Sequence, residues 1–343
     1  MLSKTRADEL PVSWPVDDIE ISATLTRPTG EAPFPAVIFV AGSGPTDRNW
    51  NTPLLPGTNG SGALLAQELT EHGFITLRYD KLASGPHAAE NAQRMAGRIS
   101  MQSHLEELAG GVELLANRED VNPAQIFVLT NSEGCVHALN YQTQRDGILF
   151  AGMVLTSAFA RSTGDLARSQ IAAQLTAVPG GDALLSIYDA AIGEFMAGRP
   201  VPTNEDMPAW LQQLIMGITH PGNQPFAREL WGFDPSIKLA EIEVPVLVVL
   251  GKKDIQVDWK TDGAIFEAVA REHDNITINY AENANHVLKS EPRPRTQLNP
   301  AEVTATYNAD DVLLDPAPVE IIISWLQTQL RADPENYHRT IQS

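Results

Sequence analysis

Three polar residues of this chain have the types and the order that nucleophilic catalysis requires: Ser132, Asp254 and His286. A neutral serine is a poor nucleophile, so a histidine must take its proton and a carboxylate must hold the imidazole in the correct tautomer. Each of the three follows an apolar, strand-like run, and the chain order is nucleophile, acid, base. Because the carboxyl ends of parallel strands meet at one edge of a sheet, these distant residues can come together there.

The stretch around Ser132 predicts a strand, a sharp turn and a helix. An apolar run over 126–129 precedes the turn Asn131-Ser132-Glu133-Gly134. Such a turn lifts the hydroxyl above the sheet and directs the amides of the next helix towards it. The usual pattern is Gly-x-Ser-x-Gly, and Thr130 occupies its first position, so a helix N-cap is the competing interpretation of Ser132. We expect Cys135 to be a small core residue and not a second nucleophile.

A glycine-containing loop follows the buried strand predicted at 34–40. Its residues Gly42, Ser43 and Gly44 leave backbone amides accessible at close range, as a phosphate cradle or an oxyanion hole requires. Proline and charged residues over 45–48 interrupt a dinucleotide-binding pattern, and a P-loop lysine is missing. The loop is therefore better explained as an oxyanion hole, with a plain turn as the alternative.

The acid and the base each have a competing interpretation. Asp254 could simply close a turn, and Asp258 or Asp262 could take its place beside the histidine. His286 could be a surface residue, although the remaining histidines do not combine a strand-terminal loop with the right chain order. The joint agreement of the three residues with sheet order favours a catalytic set.

Composition limits the classes of function. The chain has 343 residues, 43% of them hydrophobic, with 24 basic and 43 acidic residues and a net charge of −19. This balance argues against a nucleic-acid partner. The apolar runs are strand-sized, shorter than the roughly 20 residues of a membrane span, and the first six residues lack the apolar segment of a secretory signal. We expect a cytoplasmic protein without a membrane span, and with its single cysteine, without a metal site or other cofactor.

Hydrophobic patterning predicts an α/β protein with a mostly parallel central sheet and helices on both faces. The predicted strands lie at 17–27, 34–40, 74–79, 126–129, 148–155, 244–250 and 276–280, the predicted helices at 60–73, 101–117, 260–271 and 318–330, and a loop at 287–315. Residues 160–235 contain helical pieces without a convincing buried strand, which indicates a helical cap inserted over the strand ends. The predicted core domain is thus 1–159 with 236–343, and the cap or lid is 160–235.

Five short segments resemble one known group of enzymes. They are the loop 42–49, the segment 78–81, the elbow 131–134, and the segments 251–257 and 284–289. On these segments the chain resembles the α/β-hydrolases, and among them the serine esterases with a Gly-Ser-Gly-Pro-x-Asp-Arg-Asn loop and the related peptidase-like S9 and S33 hydrolases. Such relatives usually carry Gly-His-Ser-Glu-Gly-Gly at the elbow, and this chain departs from it at Thr130, Asn131 and Cys135.

The resemblance implies an α/β-hydrolase fold with an inserted helical cap, and a role for each matching residue. Ser132 would be the nucleophile, His286 the base and Asp254 the carboxylate that orients it. The backbone amides of Ser43 and Glu133 would form the oxyanion hole. The remaining implied site residues are Gly42 and Gly44 in the same loop, and Asp47, Arg48 and Asp80 as its supports.

The predicted function is a serine hydrolase of carboxylic esters, a carboxylesterase, acting through an acyl-enzyme on Ser132. The apolar residues of 160–235 indicate a small-molecule ester with a small to medium apolar acyl or alcohol group, and a homodimer is among the assemblies that the sequence allows. A peptidase or amidase with the same triad is the first alternative, with Glu194, Glu205 and Asp206 as candidates for binding a charged substrate terminus. The second is a catalytically silent hydrolase fold that binds an apolar ligand, an interpretation kept open by the altered elbow.

Overall fold

The computed structural model describes residues 8–176, 178–202 and 207–331. In this part of the chain eight strands form one sheet in the order β1-β2-β4-β3-β5-β6-β7-β8. The strands are β1 (Asp8–Val16), β2 (Ile19–Arg27), β3 (Phe34–Val40), β4 (Ile75–Tyr79), β5 (Val121–Asn131), β6 (Gly152–Thr156), β7 (Val246–Gly251) and β8 (Ile276–Ala281). All pairings from β4 to β8 are parallel, which confirms the predicted mostly parallel sheet.

An unpredicted strand forms the antiparallel edge of this sheet. β1 pairs with β2 along its whole length, and β2 in turn pairs antiparallel with β4. Pro11 and Pro15 lack amide hydrogens, which obscured the strand pattern in the sequence but is tolerated at a sheet edge. Trp14 anchors the strand, because its buried indole donates a 2.9 Å hydrogen bond to the carbonyl of Glu107.

Helices cover both faces of the sheet. The α-helices of the described residues are α1 (Ser61–Glu71), α2 (Ala88–Arg94), α3 (Met101–Ala116), α4 (Gly134–Gln144), α5 (Thr163–Leu175), α6 (Gly181–Met196), α7 (Ala209–Ile218), α8 (Phe226–Gly232), α9 (Pro235–Leu239), α10 (Thr261–Ala270), α11 (Pro300–Ala305) and α12 (Pro316–Arg331). One core cluster contains apolar side chains of α3, α4 and α10, and a second contains those of α1 and α12. Burial of each leucine or valine side chain contributes about 1.5–3 kcal/mol to the stability of the fold. The two cores therefore stabilise the sheet and keep its strand ends in place. No helix in the described ranges is long and apolar enough to cross a membrane.

The structure corrects the predicted start of one strand and one predicted loop. The strand predicted at 148–155 begins only at Gly152, because Ile148 and Leu149 remain exposed before it. The loop predicted at 287–315 contains helix α11, whose N-cap Asn299 accepts hydrogen bonds from the amides of Ala301 and Glu302. An Asn-Pro pair followed by a glutamate is a recognisable helix start, and this signal was missed.

The described residues of 160–235 form helices and the turns that connect them, without a strand. Helices α5, α6 and α7 enclose a small apolar cluster of their own, formed by Ile171, Leu175, Tyr188, Ala191, Leu211 and Ile215. The segment also contacts the rest of the molecule, since Gln170 Nε2 donates a 2.8 Å hydrogen bond to the carbonyl of Gln256. Residue 177 and residues 203–206 lie outside the described part, and the division into a core domain and a cap stays a prediction.

Candidate active site

Ser132 lies in the turn between β5 and α4. Its φ of +52° is in the left-handed region, which a non-glycine residue adopts at a cost and which is typical of strained functional turns. Its amide donates a 3.0 Å hydrogen bond to the carbonyl of Thr156 on the neighbouring strand. A Cβ at Gly134 would lie only 2.4 Å from the carbonyl oxygen of Val40, so a glycine is required for α4 to approach β3.

Thr130 and Cys135, which differ from the usual elbow residues, are both buried in this turn. Thr130 is fully buried, and its hydroxyl lies 3.4 Å from the carbonyl of Val154, which accepts from it. The carbonyl of Thr130 accepts a 2.6 Å hydrogen bond from the hydroxyl of Thr156. Cys135 is also fully buried, and burial raises the pKa of its thiol to about 12. A thiol in that state is a core group, which agrees with the expectation from the sequence.

Asp254 and His286 form a buried pair. Asp254 follows β7, and its Oδ2 lies 2.8 Å from His286 Nδ1. Its other oxygen accepts hydrogen bonds from the amides of Gln256, at 2.7 Å, and Val257, at 3.0 Å. These bonds fix the carboxylate, which in turn leaves Nε2 of the imidazole as the nitrogen that could accept a proton. The ring of Tyr307 stacks on His286 with centroids 6.2 Å apart.

The competing carboxylates face other partners. Asp262 is buried and binds Arg161 at 2.8 Å, and it also accepts from the amide of Ala160 at 3.0 Å. Asp258 lies 3.2 Å from Arg295 and accepts from two amides of its own loop. Of the three aspartates considered from the sequence, the one beside His286 is therefore Asp254.

Asn131 connects the serine elbow to the histidine loop. Its side-chain amide donates a 2.9 Å hydrogen bond to the backbone carbonyl of His286. Among the described residues no hydrogen bond joins the hydroxyl of Ser132 to His286 itself, a contact that is often long in apo hydrolases and shortens with substrate. The sequence identified Asn131 only as a departure from the usual histidine. The signal for its role is its position, at the end of a buried strand and directly before Ser132.

The glycine loop passes beside the elbow. A Cβ at Gly42 would lie 3.2 Å from Ser132 Cβ, which shows how closely the loop approaches the serine. Asp47 holds the far part of the loop by accepting from the amides of Asn49 and Asn51 at 2.8 and 2.9 Å. Gly44 has a φ of +69° and open space around its Cα.

A salt bridge attaches the same loop to the sheet. The guanidinium of Arg48 lies 2.6 Å from Asp80, and the Arg48 amide donates to the other oxygen of that carboxylate at 2.8 Å. A Cβ at Gly85 would lie 2.1 Å from the same carboxylate, so the chain passes Asp80 closely there. These contacts join the loop to the end of β4, and the supporting role of Arg48 and Asp80 stays a prediction.

Behind the loop lies a buried polar network that the sequence did not indicate. Lys81 Nζ donates to the carbonyl of Gly42 and lies 3.6 Å from Glu133 Oε1. His137 Nε2 lies 3.4 Å from the same carboxylate, and the rings of His137 and His104 are 4.5 Å apart. Burial alone would raise the pKa of Glu133, but the Lys81 ammonium and His137 hold it well below its usual range. Burial, and then His104, lower the pKa of His137 to about 4.

Within the ranges that the structure describes, no group of three or more His, Cys, Asp or Glu side chains has an arrangement suited to a metal ion. The site is instead a serine, a histidine–aspartate pair and two stretches of backbone amide at the carboxyl ends of β3, β5, β7 and β8. This arrangement could carry out acyl transfer through a covalent serine intermediate.

Comparison with known proteins agrees with the fold. No protein-family model matches the chain. The chain is 24% identical over 287 residues to Esterase EstD of Thermotoga maritima. The matched region covers 82% of this chain and 61% of that protein, so the chain spans about three fifths of the relative's length. Est1E from Butyrivibrio proteoclasticus has a TM-score of 0.53 at 14% identity, covering 94% of this chain and 99% of that one. An acylaminoacyl peptidase of Pyrococcus horikoshii has a TM-score of 0.50 at 14% identity, covering 82% of this chain and 38% of that one.

These similarities and the strand order define the class: the chain has the α/β-hydrolase fold. The predicted fold class is thereby confirmed. Within this fold the carboxyl ends of the strands form the binding edge, which is where Ser132, Asp254 and His286 lie.

Proposed function

We propose that this protein is a carboxylesterase, a serine hydrolase in which Ser132 is the nucleophile, His286 the base and Asp254 its orienting carboxylate. The observation that carries the proposal is the 2.8 Å hydrogen bond between Asp254 and His286. The loop of His286 is joined by the Asn131 side chain to the strained elbow that contains Ser132. The similarity to Esterase EstD supports the ester-hydrolysing chemistry.

The proposed reaction has two halves. Ser132 Oγ attacks the ester carbonyl carbon and its proton passes to His286, and the same proton then leaves with the alcohol as the C–O bond breaks. Water next attacks the acyl-enzyme, gives one proton to His286 and releases the carboxylic acid, and that proton returns to Ser132. Asp254 stays ionised throughout and stabilises the imidazolium.

The charge that develops on the carbonyl oxygen needs donors in place before the reaction. We assign this role to the amides of Ser43 and Glu133, which make no backbone hydrogen bond among the described residues. The Glu133 amide lies at the start of α4, where the helix dipole favours negative charge. Loss of one such donor typically slows catalysis by about a hundred- to a thousandfold.

The substrate that we propose is a small-molecule ester with a small to medium apolar group. The preference rests on the apolar composition of 160–235, whose buried side chains in α5, α6 and α7 pack against one another. The excess of 43 acidic over 24 basic residues disfavours a strongly anionic substrate. The cytoplasmic location, the homodimer and the lack of a nucleic-acid partner stay predictions.

A peptidase or amidase is the second candidate, since an acylaminoacyl peptidase shares the fold. Of the acidic residues considered for a charged substrate terminus, Glu194 is bound by Arg199 at 2.6 and 2.8 Å on the surface. Glu205 and Asp206 lie outside the described residues. The catalytically silent ligand-binding fold is the third candidate, and the intact Ser132, Asp254 and His286 argue against it.

The proposal is tested by turnover of p-nitrophenyl esters of rising acyl length beside matched p-nitroanilides. We expect ester turnover that peaks at short to medium chains and disappears in Ser132→Ala. Ser157→Ala is the matched control, because Ser157 is buried, directly follows the neighbouring strand β6 and has a φ of +46°. Faster cleavage of the anilides would favour the peptidase, and folded protein without any turnover would contradict the proposal.

A further inference from the structure

Lys81 contacts both segments to which we assign the oxyanion amides. It follows β4, and its side chain is only 5% exposed. Its ammonium donates to the carbonyl of Gly42 and lies 3.6 Å from the carboxylate of Glu133. One buried charge thus joins the loop of Ser43 to the first residue after the nucleophile.

The contact with Gly42 has a geometric consequence for Ser43. The carbonyl of Gly42 and the amide of Ser43 belong to one peptide plane, and the Gly42–Ser43 bond is not among the cis peptides of the described chain. In a trans peptide the C=O and the N–H point in opposite directions. When Lys81 holds the oxygen on one side, the Ser43 N–H is therefore fixed on the other.

The contact also changes the strength of the donor. A positive charge at a carbonyl oxygen draws electron density from the peptide and makes its N–H a better hydrogen-bond donor. The effect is largest where water is excluded, as it is around this buried ammonium. Thr46 supports the next carbonyl, since its hydroxyl donates to the oxygen of Ser43 at 2.8 Å.

We infer that Lys81 is a positioning residue that orients and polarises the Gly42–Ser43 peptide so that the Ser43 amide stabilises the oxyanion. Through Glu133 it also fixes the start of α4, which carries the second amide. This inference rests on the proposed function, because it assigns a role within the same reaction.

A purely structural role for Lys81 makes different predictions. Lys81 could serve only to neutralise the buried Glu133, whose pKa it helps to hold below the usual range. Lys81→Met removes both the contact with Gly42 and the neutralising charge. The double variant Lys81→Met with Glu133→Gln removes the contact but leaves a neutral pair and keeps the Glu133 backbone amide.

The test measures kcat and KM for one p-nitrophenyl ester and the inhibition constant of a trifluoromethyl ketone, which forms a tetrahedral adduct. For Lys81→Met and for the double variant we expect kcat to fall about ten- to a hundredfold, less than for complete loss of a donor. KM should stay within about twofold, and the ketone should bind more weakly by about the same factor as kcat falls. Lys81→Arg, which can still donate to Gly42, should recover part of the loss.

Two comparisons separate the possible failures. Lys252→Met is the matched control, because that ammonium binds Glu282 at the surface, and it should leave kcat and ketone affinity unchanged. Restoration of wild-type kcat and ketone affinity in the double variant would overturn the inference, as would a loss confined to KM or to thermal stability. Wild-type ester turnover, measured first, decides the proposed function independently of any Lys81 variant.

Discussion

The side-chain amide of Asn131 donates a 2.9 Å hydrogen bond to the backbone carbonyl of His286. Asn131 is the last residue of β5 and directly precedes Ser132, so this bond joins the strand of the proposed nucleophile to the loop of the proposed base. The α/β-hydrolases that the chain resembles usually have histidine at this position. In this chain the asparagine amide instead fixes the distance between the two loops.

We expect Asn131→Leu to impair both folding and catalysis, because leucine has a similar size and cannot donate a hydrogen bond. The buried carbonyl of His286 loses its partner, which should lower the free energy of unfolding by about 1–3 kcal/mol. The looser histidine loop should reduce kcat by about tenfold. Urea unfolding and ester turnover measure the two effects, and a variant that is less stable but equally active would show that Asn131 supports only the fold.

Replacement of single aspartates by asparagine should show by its effect on kcat that Asp254, and not Asp258, orients His286. In Asp254→Asn the amide replaces the carboxylate at 2.8 Å from His286 Nδ1 and favours the wrong tautomer, so kcat should fall by about a thousand- to ten-thousandfold. Asp258→Asn is the matched control, because Asp258 contacts Arg295 and not His286, and its kcat should change less than about threefold. Equal losses in the two variants would contradict the assignment of Asp254.

The sheet could be predicted from the sequence because buried parallel strands are continuous apolar runs. β3 matches its predicted bounds, and β7 and β8 differ from theirs by one or two residues. The predicted strand-terminal positions of Ser132, Asp254 and His286 followed from those runs. Prolines hid the strand pattern of β1, whereas the exposed apolar residues Ile148 and Leu149 extended the predicted start of β6 too far.

The supporting contacts could not be predicted in the same way. Asn131 and His286 are 155 positions apart, and Lys81 and Gly42 are 39 positions apart. A single sequence does not specify which side chain reaches which carbonyl across such separations. The signal available for Lys81 was a charged residue just after a buried strand, which indicates a functional edge but not a partner.

The stability of the protein should depend on pH through His137. Its pKa is 6.5 when exposed and about 4 in the fold, so the unfolded chain binds the proton more tightly between these values. The contribution of neutral His137 to the free energy of unfolding is complete above pH 6.5. It is lost as the pH falls towards 4, and the loss is about 3 kcal/mol in all.

Urea unfolding between pH 6.5 and 4 measures this effect. We expect the free energy of unfolding to decrease as the pH falls, and to decrease less steeply in His137→Gln. Glu133 contributes at lower pH, because its depressed pKa affects stability only below the ordinary range of a carboxyl group. His87→Gln is the matched control, since that histidine is exposed and should keep the wild-type slope. Identical slopes in His137→Gln and the wild type would contradict the buried, neutral state of His137.

Cys135 should be unreactive in the native protein. Its side chain is fully buried and its pKa is raised to about 12, so almost no thiolate forms at pH 8. Intact-mass measurement after iodoacetamide treatment at pH 8 should show no adduct natively and one adduct in urea. Rapid alkylation of the native protein would show that this thiol is accessible and would support Cys135 as a second nucleophile.

The central claim, that Ser132 is an activated nucleophile, is tested most directly by intact-mass labelling with a fluorophosphonate. The wild type and the control Ser157→Ala should each gain a single adduct, because attack requires a serine hydroxyl activated by His286. Ser132→Ala should gain none. An unlabelled but folded wild type, or an adduct that persists in Ser132→Ala, would contradict the proposed mechanism.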